Sequence, residues 1–273
     1  MTEQFGWQQL IRAGAEAYER YIVSAWMGEW AEALVDSAGI EPGARLLDVA
    51  CGTGVVARKA APLVGPGSRI VGLDNNEGMI RAAKHFANRD GMNDLEWRQG
   101  DAAAMSFDDG EFDTVLCQQG LQFFPDPTEA LKEMGRVLAP GGTLAISVWR
   151  SLDRNPYFKI LADVIESRLG KQSAAVFHAS FSLGNREEVR SLLGDAGFCD
   201  IRIRLEVKVA RYPSVDEFLP GYLSAIPIAA EIAAMNEADR AEVLRSVTVL
   251  LHDYIDDDGL AAPVECHMVT ARK

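Results

Sequence analysis

Apolar positions follow two different periods along the chain. Through residues 7–38, Trp7, Leu10, Tyr18, Tyr21, Ile22, Trp26, Trp30 and Leu34 recur mostly three or four apart among charged neighbours. That spacing predicts one or two helices with an aromatic face. Leu46-Leu47-Asp48-Val49 is a short apolar run with one acid inside it, bounded by turn residues, and it suits a buried parallel strand. Val55 to Val64 reads as a helix broken by Gly65-Pro66-Gly67. A second strand, Arg69 to Asp74, ends in an acid. Asn75-Asn76-Glu77 then caps a helix to about Ala87. Strands follow at Leu95 to Gln99, Phe112 to Cys117 and Thr143 to Trp149. The helix between the last two, Thr128 to Leu138, is stopped by Ala139-Pro140-Gly141-Gly142.

Beyond Trp149 the pattern predicts helices at Asn155 to Leu169 and Asn185 to Gly194. Ile201, Ile203, Leu205, Val207 and Val209 then alternate with Arg202, Arg204, Glu206 and Lys208, a strand with one wet face, suited to a sheet edge. Helical stretches around Val215–Leu223 and Glu237–Ile255 precede a last strand, Val264 to Ala271. Alternating strands and helices predict a doubly wound α/β sheet. One domain is expected over 1–273. A helical lid occupies 1–40, a ligand-binding core 41–150, and the rest of the sheet 151–273, with cap insertions at 151–184 and 214–258.

The glycine turn carries the chemistry. Glycines allow a sharp turn and bring bare backbone to a ligand, and helix N-terminal amides point into the same crevice. Gly52-Thr53-Gly54-Val55-Val56-Ala57 satisfies the loose dinucleotide pattern, and Asp74 lies about twenty residues past Gly54, as a ribose-binding acid should. Asp48 separates the two users of such a turn. A carboxylate there repels a pyrophosphate and welcomes an ammonium or sulfonium group. In sheets of this kind ligands bind outside the carboxyl ends of the strands, so the glycine turn, Asp74, Asp101 and the Gln118 region should face one crevice.

With these residues together, the chain resembles the class I S-adenosylmethionine-dependent methyltransferases, in the manner of those of ubiquinone and menaquinone biosynthesis. The resemblance covers about residues 41 to 150. Leu46 to Gly54 is similar to motif I, Val71-Gly72-Leu73-Asp74 to motif II and Gly100-Asp101-Ala102 to motif III. Phe112 to Gln118 with Leu121 to Asp126, and Arg136 to Gly142, resemble the segments after strand four and before strand five. The resemblance implies a Rossmann-like sheet of seven strands, mostly parallel with an antiparallel last strand, helices on both faces and a helical cap. It implies S-adenosyl-L-methionine as cofactor and S-adenosyl-L-homocysteine as product. The implied cofactor set is Tyr21, Asp48, Ala50, Gly52, Gly54, Asp74, Asn75, Met79, Asp101, Ala102 and Gln118, with Asp74 on the ribose, Met79 on adenine and Asp101 on its amino group.

Composition narrows the partners. Forty acids against 27 bases give a net charge of −13, and no Lys/Arg cluster offers a polyanion a track, so nucleic acid is not an expected substrate. No apolar run reaches the roughly eighteen residues of a membrane span, and Met1 to Gly14 lacks the pattern of a signal peptide. Cys51, Cys117, Cys199 and Cys266 are scattered, neither a zinc pattern nor a disulfide framework, which fits a reducing, cytoplasmic setting. No metal cluster is expected.

Because a sulfonium methyl is already activated, the enzyme must chiefly hold an acceptor in line with it. The expected acceptor is a small, partly apolar molecule. Tyr18, Gln119, Gln122 and Phe123 are its candidate contacts, since amides both donate and accept. Of the four histidines, His85 lies mid-helix, His252 late in a helix where a structural role suffices and His267 in the last strand, which leaves His178, in the 151–184 insertion, as the candidate general base. The acceptor atom and the oligomeric state stay open here. Two other readings stand beside this one: an NAD(P)-dependent oxidoreductase using the same turn, and a non-catalytic ligand-binding protein on the methyltransferase fold.

Overall fold

Leu46–Val49 (β1) is buried along its whole length and lies mid-sheet, with parallel partners on both sides. The computed structural model describes residues 14–273. Of the N-terminal helical stretch expected over 7–38, residues 7–13 lie outside the described residues. The remainder is helical in three consecutive pieces: Ala15–Tyr18 (α1), a π-helical Glu19–Met27, and Gly28–Ala38 (α2).

From β1 the chain runs through Val55–Val64 (α3), Ile70–Asp74 (β2), Glu77–Arg89 (α4), Glu96–Gln99 (β3), Phe112–Gln118 (β4), Pro127–Val137 (α5) and Leu138–Trp149 (β5). Pro156–Leu169 (α6), Lys171–Ser180 (α7), Arg186–Asp195 (α8) and Cys199–Tyr212 (β6) follow. Val215–Ser224 (α9), Ala229–Ala234 (α10), Glu237–Leu250 (α11), Ile255–Asp256 (β7) and Gly259–Arg272 (β8) complete the described chain. The strand order is β3-β2-β1-β4-β5-β8-β6, with the two-residue β7 hairpinned onto β8. Strands β1 to β5 pair in parallel, and β8 lies antiparallel to β5 from Thr143↔Arg272 to Trp149↔Cys266. The expected doubly wound sheet with an antiparallel last strand is therefore present, with β7 as an unforeseen eighth strand.

The chain divides into two units. The sheet unit comprises Gly28–Trp149, Leu183–Glu206 and Cys266–Lys273. Leu47, Val49, Val71, Leu73, Val115 and Ile146 form its core with Leu131, Met134 and Val137 of α5 and Val189 and Leu193 of α8. Each such side chain, fully buried, contributes about 1.5–3 kcal/mol. Asp48, between Leu47 and Val49, points to the opposite face. Helix α2 belongs to this unit and packs on α3, β4 and β5, with Trp30 edge-on to Trp149 at 5.3 Å. Asn76, Asp126 and Asn185 cap α4, α5 and α8 by accepting from first-turn amides.

The second unit comprises residues 14–27, Arg150–Ser182 and Val207–Glu265. Its core is aromatic: Phe158 meets Trp26 and Phe181 at 5.2 and 5.1 Å, and Tyr212 stacks on Phe218 at 3.4 Å. Among the described residues no helix is long and apolar enough to cross a membrane.

Three local expectations change. β5 starts at Leu138, because Leu138 pairs with Phe112 before the chain bulges through Pro140 to Gly142. α7 and α10 were not foreseen. β6 is an edge strand, but its apolar side is not covered throughout: Ile203 is buried, whereas Leu205, Val207 and Val209 are half-exposed and Ala210 and Tyr212 of the opposite parity are buried. The covered side changes near Glu206, where the strand passes from one unit to the other, and strand twist allows the change.

Candidate cofactor site

The turn after β1 is built from three residues with left-handed backbone, Ala50 (φ 55), Gly52 (φ 54) and Gly54 (φ 80). The two glycines serve different ends. At Gly52 a Cβ would meet nothing within 4 Å, so its main chain borders open space. At Gly54 a Cβ would lie 2.3 Å from the Trp97 ring, and at Gly72 of β2 it would lie 2.4 Å from the same ring. Trp97 on β3 thus fills the room both glycines leave, which fixes the turn against the sheet. Reading the sequence missed Trp97; the signal was a lone glycine inside β2, paired in register with it.

Gly54 is the N-cap of α3 and offers its first turn no side-chain acceptor. Asp48 supplies one from below: its Oδ2 accepts from Ala57 N–H at 3.1 Å. The other oxygen, Oδ1, is buried and has no hydrogen-bond partner among the described residues. Burial pushes the Asp48 carboxyl up to about 8, the Asp74 charge adding to that and the Ala57 amide opposing it. A buried oxygen without a donor beside open, glycine-floored backbone fits a ligand that brings a cationic or N–H donor group. A cationic group there would favour the ionised carboxylate, whereas an anion would oppose its ionisation.

Asp74 closes β2 and joins two turns. Its Oδ2 accepts from Gly52 N–H and its Oδ1 from Asn76 N–H, both at 2.9 Å. Burial raises the pKa of this carboxyl and the two amides oppose the rise. Each oxygen keeps a second lone pair, so the half-buried carboxylate can still accept from a pair of hydroxyls. Asn75 is exposed, its carbonyl accepting from Gln99 Nε2 at 3.1 Å, and Met79 is buried in the first turn of α4. Asp101 is exposed, with Oδ1 taken by Ala103 N–H at 2.9 Å in a local turn, while Ala102 is buried in the core.

At the end of β4, Gln118 and Gln119 are buried and Gln119 has left-handed backbone (φ 51). Its N–H donates to Ser147 O at 2.9 Å, extending the β4–β5 ladder by one bond. Its side-chain Nε2 reaches Ser147 Oγ at 3.4 Å and Cys266 Sγ at 3.7 Å, and Gln122 Nε2 donates to its Oε1 at 3.2 Å. Gly120 follows because a Cβ there would lie 2.7 Å from the Ala50 methyl, so the turns after β1 and β4 touch. Phe123 is half-buried in the 3-10 turn Leu121–Phe123.

The remaining candidates belong to the second unit. The Tyr21 ring occupies the space that Gly221 leaves, 2.3 Å from where a Cβ would stand, with the Arg20 guanidinium 5.2 Å from its centroid. Tyr18 is half-buried and close enough for its hydroxyl to raise the pKa of Tyr222 alongside burial. His178 sits in the last turn of α7 with its side chain 59% exposed and Nε2 3.8 Å from Glu166 Oε2. The Tyr157 hydroxyl is buried without a partner among the described residues.

Comparison with known proteins identifies the family. A family profile described as a methyltransferase domain matches residues 47–146. The demethylmenaquinone methyltransferase of Staphylococcus carnosus (strain TM300) is 31% identical over 186 residues, 64% of this chain and 76% of that protein. The same-named enzyme of Staphylococcus aureus (strain JH9) is 30% identical over the same extent. Among solved structures, phosphoethanolamine N-methyltransferase 2 of Haemonchus contortus, crystallised with phosphomonomethylethanolamine and S-adenosylhomocysteine, superposes with a TM-score of 0.59 at 21% identity. That match covers 95% of this chain and 57% of that one. A SAM-dependent methyltransferase from Aquifex aeolicus gives 0.52 at 17% identity, over 89% and 88%. At such identities the structures speak for the fold, and the staphylococcal relatives for the family. The turn floored by Gly52, the acids at the ends of β1 and β2, and these matches lead to one assignment: the chain belongs to the class I S-adenosylmethionine-dependent methyltransferases of the menaquinone and ubiquinone type.

Proposed function

We propose that the chain methylates a small, partly apolar acceptor, and that a reduced naphthoquinone-type ring, as in the staphylococcal relatives' demethylmenaquinone, is the first class to test. The observation that carries the reading is the buried Asp48 carboxyl with an oxygen that lacks a donor, beneath main chain left open at Gly52.

In this reading Asp48 faces the cationic methionyl end of the cofactor, and Gly52 and Ala50 offer it main chain. Asp74 accepts from the ribose hydroxyls while its bonds to Gly52 and Asn76 hold the two turns in register. Asn75, Met79, Asp101 and Ala102 flank the adenine, and Gln118 follows the end of β4. Tyr21 is proposed for the methionyl side. S-adenosylmethionine supplies an activated methyl group on a sulfonium, so no nucleophile of the chain is required. The chain's contribution is to hold the acceptor in line, and such positioning supplies about 7–11 kcal/mol. Gln119, Gln122, Phe123 and Tyr18 are the proposed acceptor contacts, and no base is assigned, because His178 is solvent-exposed beside Glu166.

The test is calorimetry with S-adenosylhomocysteine and NAD in parallel, followed by transfer of labelled methyl from S-adenosylmethionine to 1,4-naphthohydroquinone under reducing conditions. Binding of the first ligand alone and a labelled ring support the reading. A chain that binds S-adenosylhomocysteine yet labels no apolar ring removes the acceptor class, and preference for NAD removes the cofactor roles as well.

A further inference from the structure

We propose that Gln122 reads a hydroxyl group on the methyl acceptor, through a side-chain carbonyl whose orientation is fixed by a relay starting at Cys266. The inference rests on the acceptor class given above and names the group by which that acceptor is recognised.

The relay is set by counting protons. The Cys266 S–H donates to the His267 carbonyl at 3.3 Å, leaving the sulfur only as an acceptor. Gln119 Nε2 faces that sulfur at 3.7 Å and Ser147 Oγ at 3.4 Å. With its amide nitrogen engaged there, Gln119 leaves Oε1 to accept from Gln122 Nε2 at 3.2 Å. A primary amide has one acceptor end and one donor end, so the polarity passes on. Gln122 has spent a donor inward and presents Oε1, which is buried and has no hydrogen-bond partner among the described residues.

The base of the relay is rigid. Ser147 and Cys266 are fully buried on the adjacent strands β5 and β8, and Gln119 is held by its backbone bond to Ser147 in a left-handed conformation that few residues other than glycine adopt. A buried carbonyl oxygen without a donor is unfavourable until something supplies an O–H. A neutral amide also accepts a hydroxyl proton without removing it, so this group selects the acceptor rather than activating it. A site built to bond a hydroxyl rejects the analogue that lacks one far more strongly than an apolar wall distinguishes shape.

The test uses the full chain loaded with S-adenosylhomocysteine and two probes, 1-naphthol and 1-methoxynaphthalene, titrated by calorimetry. Expected is a preference for 1-naphthol of about tenfold or more. Gln122→Leu should bring the ratio close to one by weakening 1-naphthol alone. Gln119→Leu should lower the ratio too, because the relay loses its base. Gln119→Glu, whose carboxyl still accepts from Gln122, should keep the preference, which a merely structural role for Gln119 does not foresee. Equal binding of the two probes to the parent chain, or a preference that survives Gln122→Leu, overturns the assignment and leaves the acceptor class intact. Failure of both probes to bind overturns the acceptor class and this inference with it.

Discussion

The Gly52 amide donates to Asp74 Oδ2 across 2.9 Å, joining the turn after β1 to the last residue of β2. Because Oδ1 of the same carboxylate holds Asn76 N–H at 2.9 Å, one side chain sets the spacing of two turns that sequence separates by more than a helix. Asp74→Ala removes both bonds and the proposed ribose contact together. S-adenosylhomocysteine binding should weaken by about 1.5–3 kcal/mol, the worth of a hydrogen bond to a charged group. Calorimetry on the purified variant measures it, and an unchanged affinity removes Asp74 from the site.

Gly52 and Gly54 stand two residues apart and should fail differently. Gly54→Ala drives a methyl into the Trp97 ring and places it on left-handed backbone, a loss on the order of 2–5 kcal/mol. That is a large share of a domain's usual stability, about 5–15 kcal/mol. Gly52→Ala meets no atom and pays only the backbone term, about 1–2 kcal/mol, but its methyl enters the open side of the turn. Thermal unfolding should therefore show a large drop in Tm for Gly54→Ala and a small one for Gly52→Ala. Ligand titration should show the greater loss of S-adenosylhomocysteine binding, per unit of lost stability, at Gly52. Adding Trp97→Ala to Gly54→Ala should recover part of the Tm, since it removes the overlap and leaves the backbone term.

His178 lies at the end of α7, open to solvent and facing Glu166 at 3.8 Å. A histidine exposed in the last turn of a helix beside a surface carboxylate is accounted for without any catalytic role. His178→Ala should accordingly keep kcat within about twofold, the effect of an ordinary exposed surface substitution. A loss of about 10² or more, with a titration absent from its pH profile, would establish it as the base.

Strands β1, β2, β4 and β5 and the helices between them were legible because mostly apolar strand runs and periodic helices are bounded by cap or glycine signals, such as Asn76 before α4 and Gly65 after α3. What escaped depends on partners far away in sequence. Trp97 owes its position to Gly54 and Gly72, and nothing local to β3 marks it. The contact of Gln119 with Cys266 spans 147 residues. Helix α7 buries only Ser173, Ala174 and Phe177, too few to write a period. In β6 the alternation was read correctly as a strand, but alternation says which residues share a side and not which side is covered, and here the cover changes along the strand. Asp48 was singled out for its charge, while its bond to Ala57 belongs to the way β1 meets α3.

That bond makes Asp48 a source of pH dependence with a defined sign. The ordinary value for the side chain is 3.8 and in the folded protein it is pushed up to about 8. Between those values the folded state holds a proton that the unfolded state has released, so stability falls as pH rises from about 4 to about 8 and then levels. Asp48→Asn keeps an oxygen for Ala57 N–H and cannot ionise. Its Tm relative to the parent should therefore climb with pH across that interval and stay flat above it. Ligand binding gives the complementary reading: a cationic group brought beside Asp48 favours the ionised form, so at pH 7 the parent chain should release close to one proton on binding S-adenosylmethionine. Calorimetry in buffers of different ionisation enthalpy counts that proton, and Asp48→Asn should release none from this site. If the parent releases none either, the ligand's cationic end does not face Asp48, and the buried carboxyl is a cap for α3 alone.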